Sequence, residues 1–368
     1  LDVSDVRTRR AEAIQPVQAL EIASKFALKQ YLKATPAASQ LVSGQTGAAL
    51  TPRILLRQAF GYEHADEGST VATGTSGTQF DVQAGEGIRF AKGTYIAVAI
   101  SGQMEWAKIT NIATDTITVS PALSGTPATS AVVRNLYSYA IAESQTNSLT
   151  AQVAYVGDTA AQYTFNGGHG DVSFAWEIGK LPTIALDVTA VSFTTGALGL
   201  STAVASDEMG ATASFQPSVY LAAASTVTRA TTLVCEKFSV EMKNQWEMVR
   251  DPSATQTVSA VVNTAGRPRA ASAKLTLRFD SGYPAAYDAE TRYNFAIAWR
   301  IGTGANASFW IFQMDNCYLV AEPKLTGVGN RLYMDLELNG LQSNTVTLGG
   351  STGTALDAIY SNLRCCFG

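Results

Sequence analysis

From about residue 80 onward this chain alternates apolar and polar residues with a period of two, and that pattern constrains its fold class most. In 171–178, Val172, Phe174, Trp176 and Ile178 fall on one side; in 272–280, Ala273, Leu275, Leu277 and Phe279 do. Successive side chains of a strand point to opposite faces, so each such segment reads as a strand with one face in a core. Segment 238–249 alternates in the same way, and 292–301, 308–314 and 330–338 read as three more strands. Segments 105–112 and 116–119 alternate on either side of a turn at 113–115, and the apolar run 95–100 suits a buried strand. The expected fold class is therefore mainly β: antiparallel sandwich or barrel domains, with a short packed helix and an inserted small β-barrel at 80–134.

Two segments read as helical. In 17–33, Leu20, Ala23, Ala27 and Tyr31 lie close to one helical face, and Thr35-Pro36 ends the pattern. In 51–61, Thr51 is placed to cap, Pro52 sits in the first turn and Gly61 is placed to stop the helix. Further on, 149–156 and 161–165 read as strands, 166–170 (Asn-Gly-Gly-His-Gly) as a turn, Gly179-Lys-Leu-Pro182 as a break and 183–193 as a strand. Two blocks then share an order of hydroxyl-rich strand, glycine-containing loop, alternating strand and apolar strand: 149–193, and 238–300 with 309–320. That order suggests two similar β domains in tandem, with one large sandwich as the alternative. The expected division is 1–79 for an N-terminal arm, helices and the start of a first domain, 80–134 for the insert and 135–200 for the rest of the first domain. A second domain then covers 201–345, and a C-terminal arm covers 346–368.

Composition narrows function mainly by exclusion. The 46% apolar content fits a folded chain, and the apolar runs fall far short of the ~20 residues that span a bilayer. A net charge of −4 with no basic block argues against tight binding of nucleic-acid phosphates. Charged residues make up 15%, against about 25% in ordinary domains, which suggests that other subunits cover part of the surface. Residues 1–10 are polar and charged, with none of the apolar core of a secretory signal.

Chemistry-bearing motifs are sparse. His64 and His169 sit in no paired metal spacing, and His169 lies within the expected 166–170 turn. No phosphate-cradling glycine loop precedes a helix, Gly302-Thr-Gly304 reads as a hairpin turn, and no nucleophile elbow is present. Asp66, Glu67, Glu143, Asp207 and Glu208 read as solvated loop charges rather than as an acid–base pair. The tryptophans 106, 176, 246, 299 and 310 all lie in alternating strands, where core positions are expected. Asn306-Ala-Ser308 matches a glycosylation sequon, taken as chance. Cys235, Cys317, Cys365 and Cys366 match no zinc or redox spacing and read as reduced thiols. No catalytic, cofactor-binding or metal-binding residues are expected, and no enzyme activity or cofactor.

Four segments in order resemble one family. Thr51-Pro-Arg-Ile-Leu-Leu-Arg-Gln-Ala-Phe-Gly61 is similar to a short helix near the start of phage tail tube proteins, the major tail subunits of long-tailed bacteriophages. Asp115-Thr-Ile-Thr-Val-Ser-Pro-Ala-Leu-Ser-Gly-Thr-Pro-Ala128 resembles a phrase of the small insert common in that family. Residues 162–174 with Gly179-Lys-Leu-Pro182 resemble its strand, turn, strand and break, and 235–244 resemble a strand ending in asparagine. The resemblance spans about 35–345. It implies a virion structural protein whose subunits self-assemble into rings, stacked as a tube around a channel through which DNA passes into the host. The implied partners are other copies of the chain, the tape measure, terminator and tail tip proteins, and genomic DNA in transit without specific binding. Assembly would take place in the host bacterial cytoplasm, and the product would reside in the virion tail. Tandem domains would make a ring of three chains with pseudo-sixfold symmetry; a single sandwich would need six. Contacts between rings are expected from 1–16, 39–49 and 194–230, and the insert is expected on the outside of the tube. A tail terminator, a capsid decoration protein or a carbohydrate-binding sandwich are the alternatives.

Overall fold

The computed structural model describes residues 24–31, 51–141, 148–155, 161–196, 217–223, 233–244, 246–250, 258–263, 270–279, 292–328, 331–340, 348–349, 355–356 and 363–368. The chain order begins with strand β1 (Ser24–Tyr31), helix α1 (Thr51–Phe60) and strand β2 (Gly61–His64). Six strands follow: β3 (Ser69–Gly74), β4 (Gln79–Val82), β5 (Tyr95–Ile100), β6 (Gln103–Ala113), β7 (Thr116–Ser120) and β8 (Val132–Asn135). Next come β9 (Tyr137–Ile141), β10 (Leu149–Tyr155), β11 (Ala161–Glu177), β12 (Thr183–Ala190), β13 (Ser192–Gly196) and β14 (Ser218–Ala223). The rest are β15 (Cys235–Lys243), β16 (Trp246–Arg250), β17 (Val258–Asn263), β18 (Ala270–Arg278), β19 (Arg292–Ile301), β20 (Ser308–Leu319), β21 (Lys324–Val328), β22 (Arg331–Gly340), β23 (Leu348–Gly349), β24 (Ala355–Leu356) and β25 (Arg364–Phe367).

The small barrel is present and closed, in the order β3-β4-β7-β6-β5-β8. It runs from Ser69 to Asn135, wider than the expected 80–134, because β3 and β4 supply two of its walls. Val71, Phe80, Val98, Ile109, Ile117, Val119 and Val133 fill it. These are the β-branched and aromatic side chains that pack well on a pleated surface.

The remaining strands form a sandwich. One sheet runs β1-β12-β11-β15-β18-β22. The other runs β14-β19-β20-β25-β9-β2. β20 joins them: its Trp310–Gln313 stretch pairs with β25, while Cys317–Leu319 pairs with β22. Phe174 of the first sheet meets Phe312 of the second at 4.1 Å between ring centroids, and Trp176 and Phe238 both meet Trp299. Helix α1 closes one end of this core with Leu55, Leu56, Ala59 and Phe60, one apolar face of the helix. Gly61 stops it at φ 89°, a left-handed conformation that glycine adopts without penalty.

Five expectations need correction. Residues 24–31 are not helical: they form β1, paired along its whole length with β12. Ala27 and Lys29, two apart, are both exposed, which is the strand period. The 166–170 segment is not a turn; it lies inside the single 17-residue strand β11. Gly167, at φ 63°, lets the strand bend there, where its partners change from β10 and β13 to β12 and β15. Segment 238–249 is two strands, because β15 ends at Lys243 and β16 leaves to pair with β17. The tandem halves do not form separate cores: β11 pairs with β15 directly, and residues of 172–188 and 238–338 share one cluster. Finally, 363–368 are no arm, since β25 lies between β20 and β9 with Cys365, Cys366 and Phe367 fully buried.

Candidate assembly surfaces

The three layers leave their faces in different states. The outer face of the second sheet is covered by the barrel. Tyr95, Met104 and Trp106 of the barrel pack on Tyr220, Ala296, Ala298, Phe309, Ile311 and Cys366. A half-buried ion cluster pins the same contact. Lys108 Nζ of β6 donates to both carboxylate oxygens of Asp315 at 3.0 and 2.9 Å, and Arg364 lies 3.8 Å from the same carboxylate. Gln313 donates to Asp315 at 2.6 Å and accepts from the Tyr95 hydroxyl at 2.9 Å. Burial alone would raise the Asp315 carboxyl, but the Lys108 and Arg364 charges and these hydrogen bonds hold it down at about 2.

Among the described residues, no further layer packs on the outer face of the first sheet. Ser173, Ala175 and Glu177 of β11, Lys237, Ser239 and Glu241 of β15, Lys274 and Thr276 of β18, and Asp335 and Glu337 of β22 alternate with its core residues. Charges of both signs mix on it, and Lys274 pairs with Glu337 at 3.2 Å. The result is a small-residue, polar surface without a basic stripe.

Edges differ as much as faces. In the second sheet, β2 lies beneath α1, where Arg53 makes a two-pronged contact with Glu63 and Tyr139 donates to the same carboxylate at 3.0 Å. The opposite edge strand, β14, is itself buried at Val219, Tyr220 and Leu221. In the first sheet, among the described residues, β1 pairs only with β12, and β21 pairs only with β22. Unpaired strand edges are ready to accept another strand, and soluble monomers ordinarily blunt them. Here two such edges bound one sheet.

No known protein family matches the chain, and no curated protein matches it either.

The residues weighed for chemistry are scattered. His64 Nε2 lies 3.1 Å from the Arg89 carbonyl oxygen. The His169 ring lies 4.5 Å from that of Trp246, tilted by 40°, and burial lowers its pKa. Asp66 and Glu67 lie in the short link from β2 to β3, whereas Glu143, Asp207 and Glu208 fall outside the described residues. Trp106, Trp176, Trp299 and Trp310 are buried. Trp246 is half-buried and donates to the Gly170 carbonyl at 3.2 Å. All four cysteines are free and buried, with the Cys235 and Cys317 thiols pushed up to about 12 by burial. Among the described residues no three metal-ligating side chains gather, and no helix is long and apolar enough to cross a membrane. Of the expected ring-to-ring segments, 1–16 and 39–49 fall outside the described residues, and 194–230 is described only at 194–196 and 217–223.

Asn244, the asparagine that ends the family-like strand 235–244, has a structural role that the sequence did not assign. Its side chain donates to the carbonyls of Ala59 and Gly170, at 3.0 and 2.9 Å, and its backbone donates to Asp171 at 2.7 Å. It thereby ties the end of α1 to the bend of β11. A polar residue interrupting an alternating run is the mark that finds it.

Proposed function

We propose that this chain is a structural subunit of a bacteriophage tail tube, assembled in the host bacterial cytoplasm and resident in the virion tail. The observation that carries this reading is the first sheet, which has a bare polar face and two unpaired edges and is backed by two further layers. Joined edge to edge, β1 of one copy against β21 of the next, such sheets close into a ring whose inner wall is that polar face. The mixed charges would give DNA phosphates no cationic track to adhere to. The barrel, on the far side of the sandwich, would then face outward. Because the two halves share one core, each chain supplies one sheet, and six copies rather than three would complete the ring. The protein acts by association, without catalysis or cofactor. Its further partners are the tape measure, terminator and tail tip proteins, with DNA as transient cargo.

Negative-stain electron microscopy of the concentrated chain tests this. Hollow sixfold rings or tubes are expected. Threefold rings would restore the tandem reading, and single rings that never stack would favour a tail terminator. Ala27→Lys with Thr326→Lys, both at exposed edge positions, should leave a folded monomer that forms no rings. Rings of unchanged stability from that variant would remove the edges from the argument.

A further inference from the structure

The bend of β11 holds a buried imidazole with an unused nitrogen. His169 is 8% exposed, and its Nδ1 is enclosed without a hydrogen-bond partner. The ring laid against it is that of Trp246, the first residue of β16. The Trp246 indole N–H is already committed to the Gly170 carbonyl, which also accepts from the Asn244 side chain. β16 pairs with β17 and joins neither sheet of the sandwich. Trp246 is thus a point at which this strand pair is held to the bend.

A neutral imidazole tolerates such a site, because Nδ1 stays unprotonated while Nε2 carries the proton. In the protonated ring both nitrogens donate, and a buried donor without an acceptor is costly. The charged groups around the site do not offset that cost. Asp171 lies two residues along the same face of β11, Asp187 opposite it on β12, and Lys243 at the end of β15. Lys25 of β1 is in register with Thr189, the residue opposite His169. Glu247 is exposed on the other side of β16 from Trp246, and Arg250 ends that strand. β10, β13 and β17 carry no charged residue. Burial prevails and lowers the His169 pKa from its ordinary 6.5.

We propose that the Trp246–His169 contact is a proton-operated latch: when His169 takes up a proton, Trp246 lifts away, the imidazolium is hydrated, and β16-β17 is released from the bend of β11. Asn244, bonded to the Ala59 and Gly170 carbonyls, carries no titrating group and stays as the fixed point. The contact is fully favoured above pH ~6.5, where His169 is neutral whether covered or open. It is lost as the pH falls through the lowered value. The latch belongs to a single chain and does not depend on the tube reading.

The test follows hydrogen exchange in the full chain by mass spectrometry, at the imidazole C2 positions and at the backbone amides, from pH 8 to pH 5. His64 and His169 are the two histidines, so each titration is read separately. His169 should titrate below 6.5. Over the same range, exchange in β16, corrected for its intrinsic pH dependence, should rise roughly tenfold. His169→Gln cannot take up the proton and should show no such rise. That variant also separates the latch from Asp171, whose own pKa burial raises. Trp246→Ala should return the His169 titration to about 6.5. Circular dichroism confirms that both variants fold. A native His169 that titrates at the ordinary value overturns the inference, and so does a rise in exchange that persists in His169→Gln. Constant protection of β16 while His169 titrates overturns the coupling between them.

Discussion

The barrel and the sandwich are built from the same period-two alternation, yet they end in opposite states. In the barrel every strand has a neighbour on both sides, because β8 returns to β3. The first sheet of the sandwich stops at β1 and β21 with one side of each unpaired among the described residues. Closure alone removes sheet edges. The barrel is thus finished within one chain, whereas the first sheet is finished only by another. Identical local patterning therefore says how a segment folds but not whether the unit it builds is self-sufficient.

The comparison can be broken at its centre. Phe312→Ala empties a fully buried site between the two sheets and should cost about 4 kcal/mol. Because both halves share that core, thermal denaturation followed by tryptophan fluorescence should lose the whole sandwich in one transition. A surviving half would mean two cores after all. A smaller effect belongs to the joint between barrel and sandwich. Asp315→Ala leaves Lys108 and Arg364 without their shared partner and should cost about 2 kcal/mol, with Asp315→Asn costing less. The pH dependence follows from the same carboxyl, held at about 2 in the folded chain against about 3.9 unfolded. A depressed folded value means that its contribution is present above pH ~4 and fades as the pH falls toward 2. Urea titrations at pH 6 and pH 3 should show that loss in the native chain and a weaker one in Asp315→Asn. The smallest effect isolates the barrel. Ile117→Val, at a buried barrel position, should cost about 1 kcal/mol. It should add to Phe312→Ala within about 0.5 kcal/mol, since the two sites lie in separate clusters.

Much of this fold was legible from alternation. The hairpin of β6 and β7 is legible to within a residue, an expected turn at 113–115 against an observed one at Thr114-Asp115, because apolar residues alternate along both strands even though a bulge between Ile109 and Asn111 shifts their register. Helix α1 was read from its punctuation, Pro52 at the start and Gly61 at the end. Strand β1 was misread because Ala, Leu, Lys and Gln favour helix locally; pairing with β12 overrode that preference. The bend in β11 was misread because glycines that mark a turn in isolation also let a strand kink and change partners. No local pattern showed that 172–188 and 238–338 would fill one core, since that depends on pairings between residues far apart in sequence. The candidate surfaces were the least legible part. An edge strand and a central strand can carry the same sequence pattern, and only the sheet order tells them apart.

The barrel's place in the chain has a consequence best expressed as chain entropy. β2 and β9 flank it and pair with each other, from Gly61 with Ile141 to His64 with Ser138. If unfolded, the intervening segment of about 70 residues would make that pairing about 2.5 kcal/mol harder to close than a tight hairpin. Once folded, the barrel brings its own ends together, with Ser69 opposite Val133. It then acts toward the sandwich as a short turn would. A domain of that size can sit in the middle of a sheet edge at almost no cost in closure, provided that it folds first.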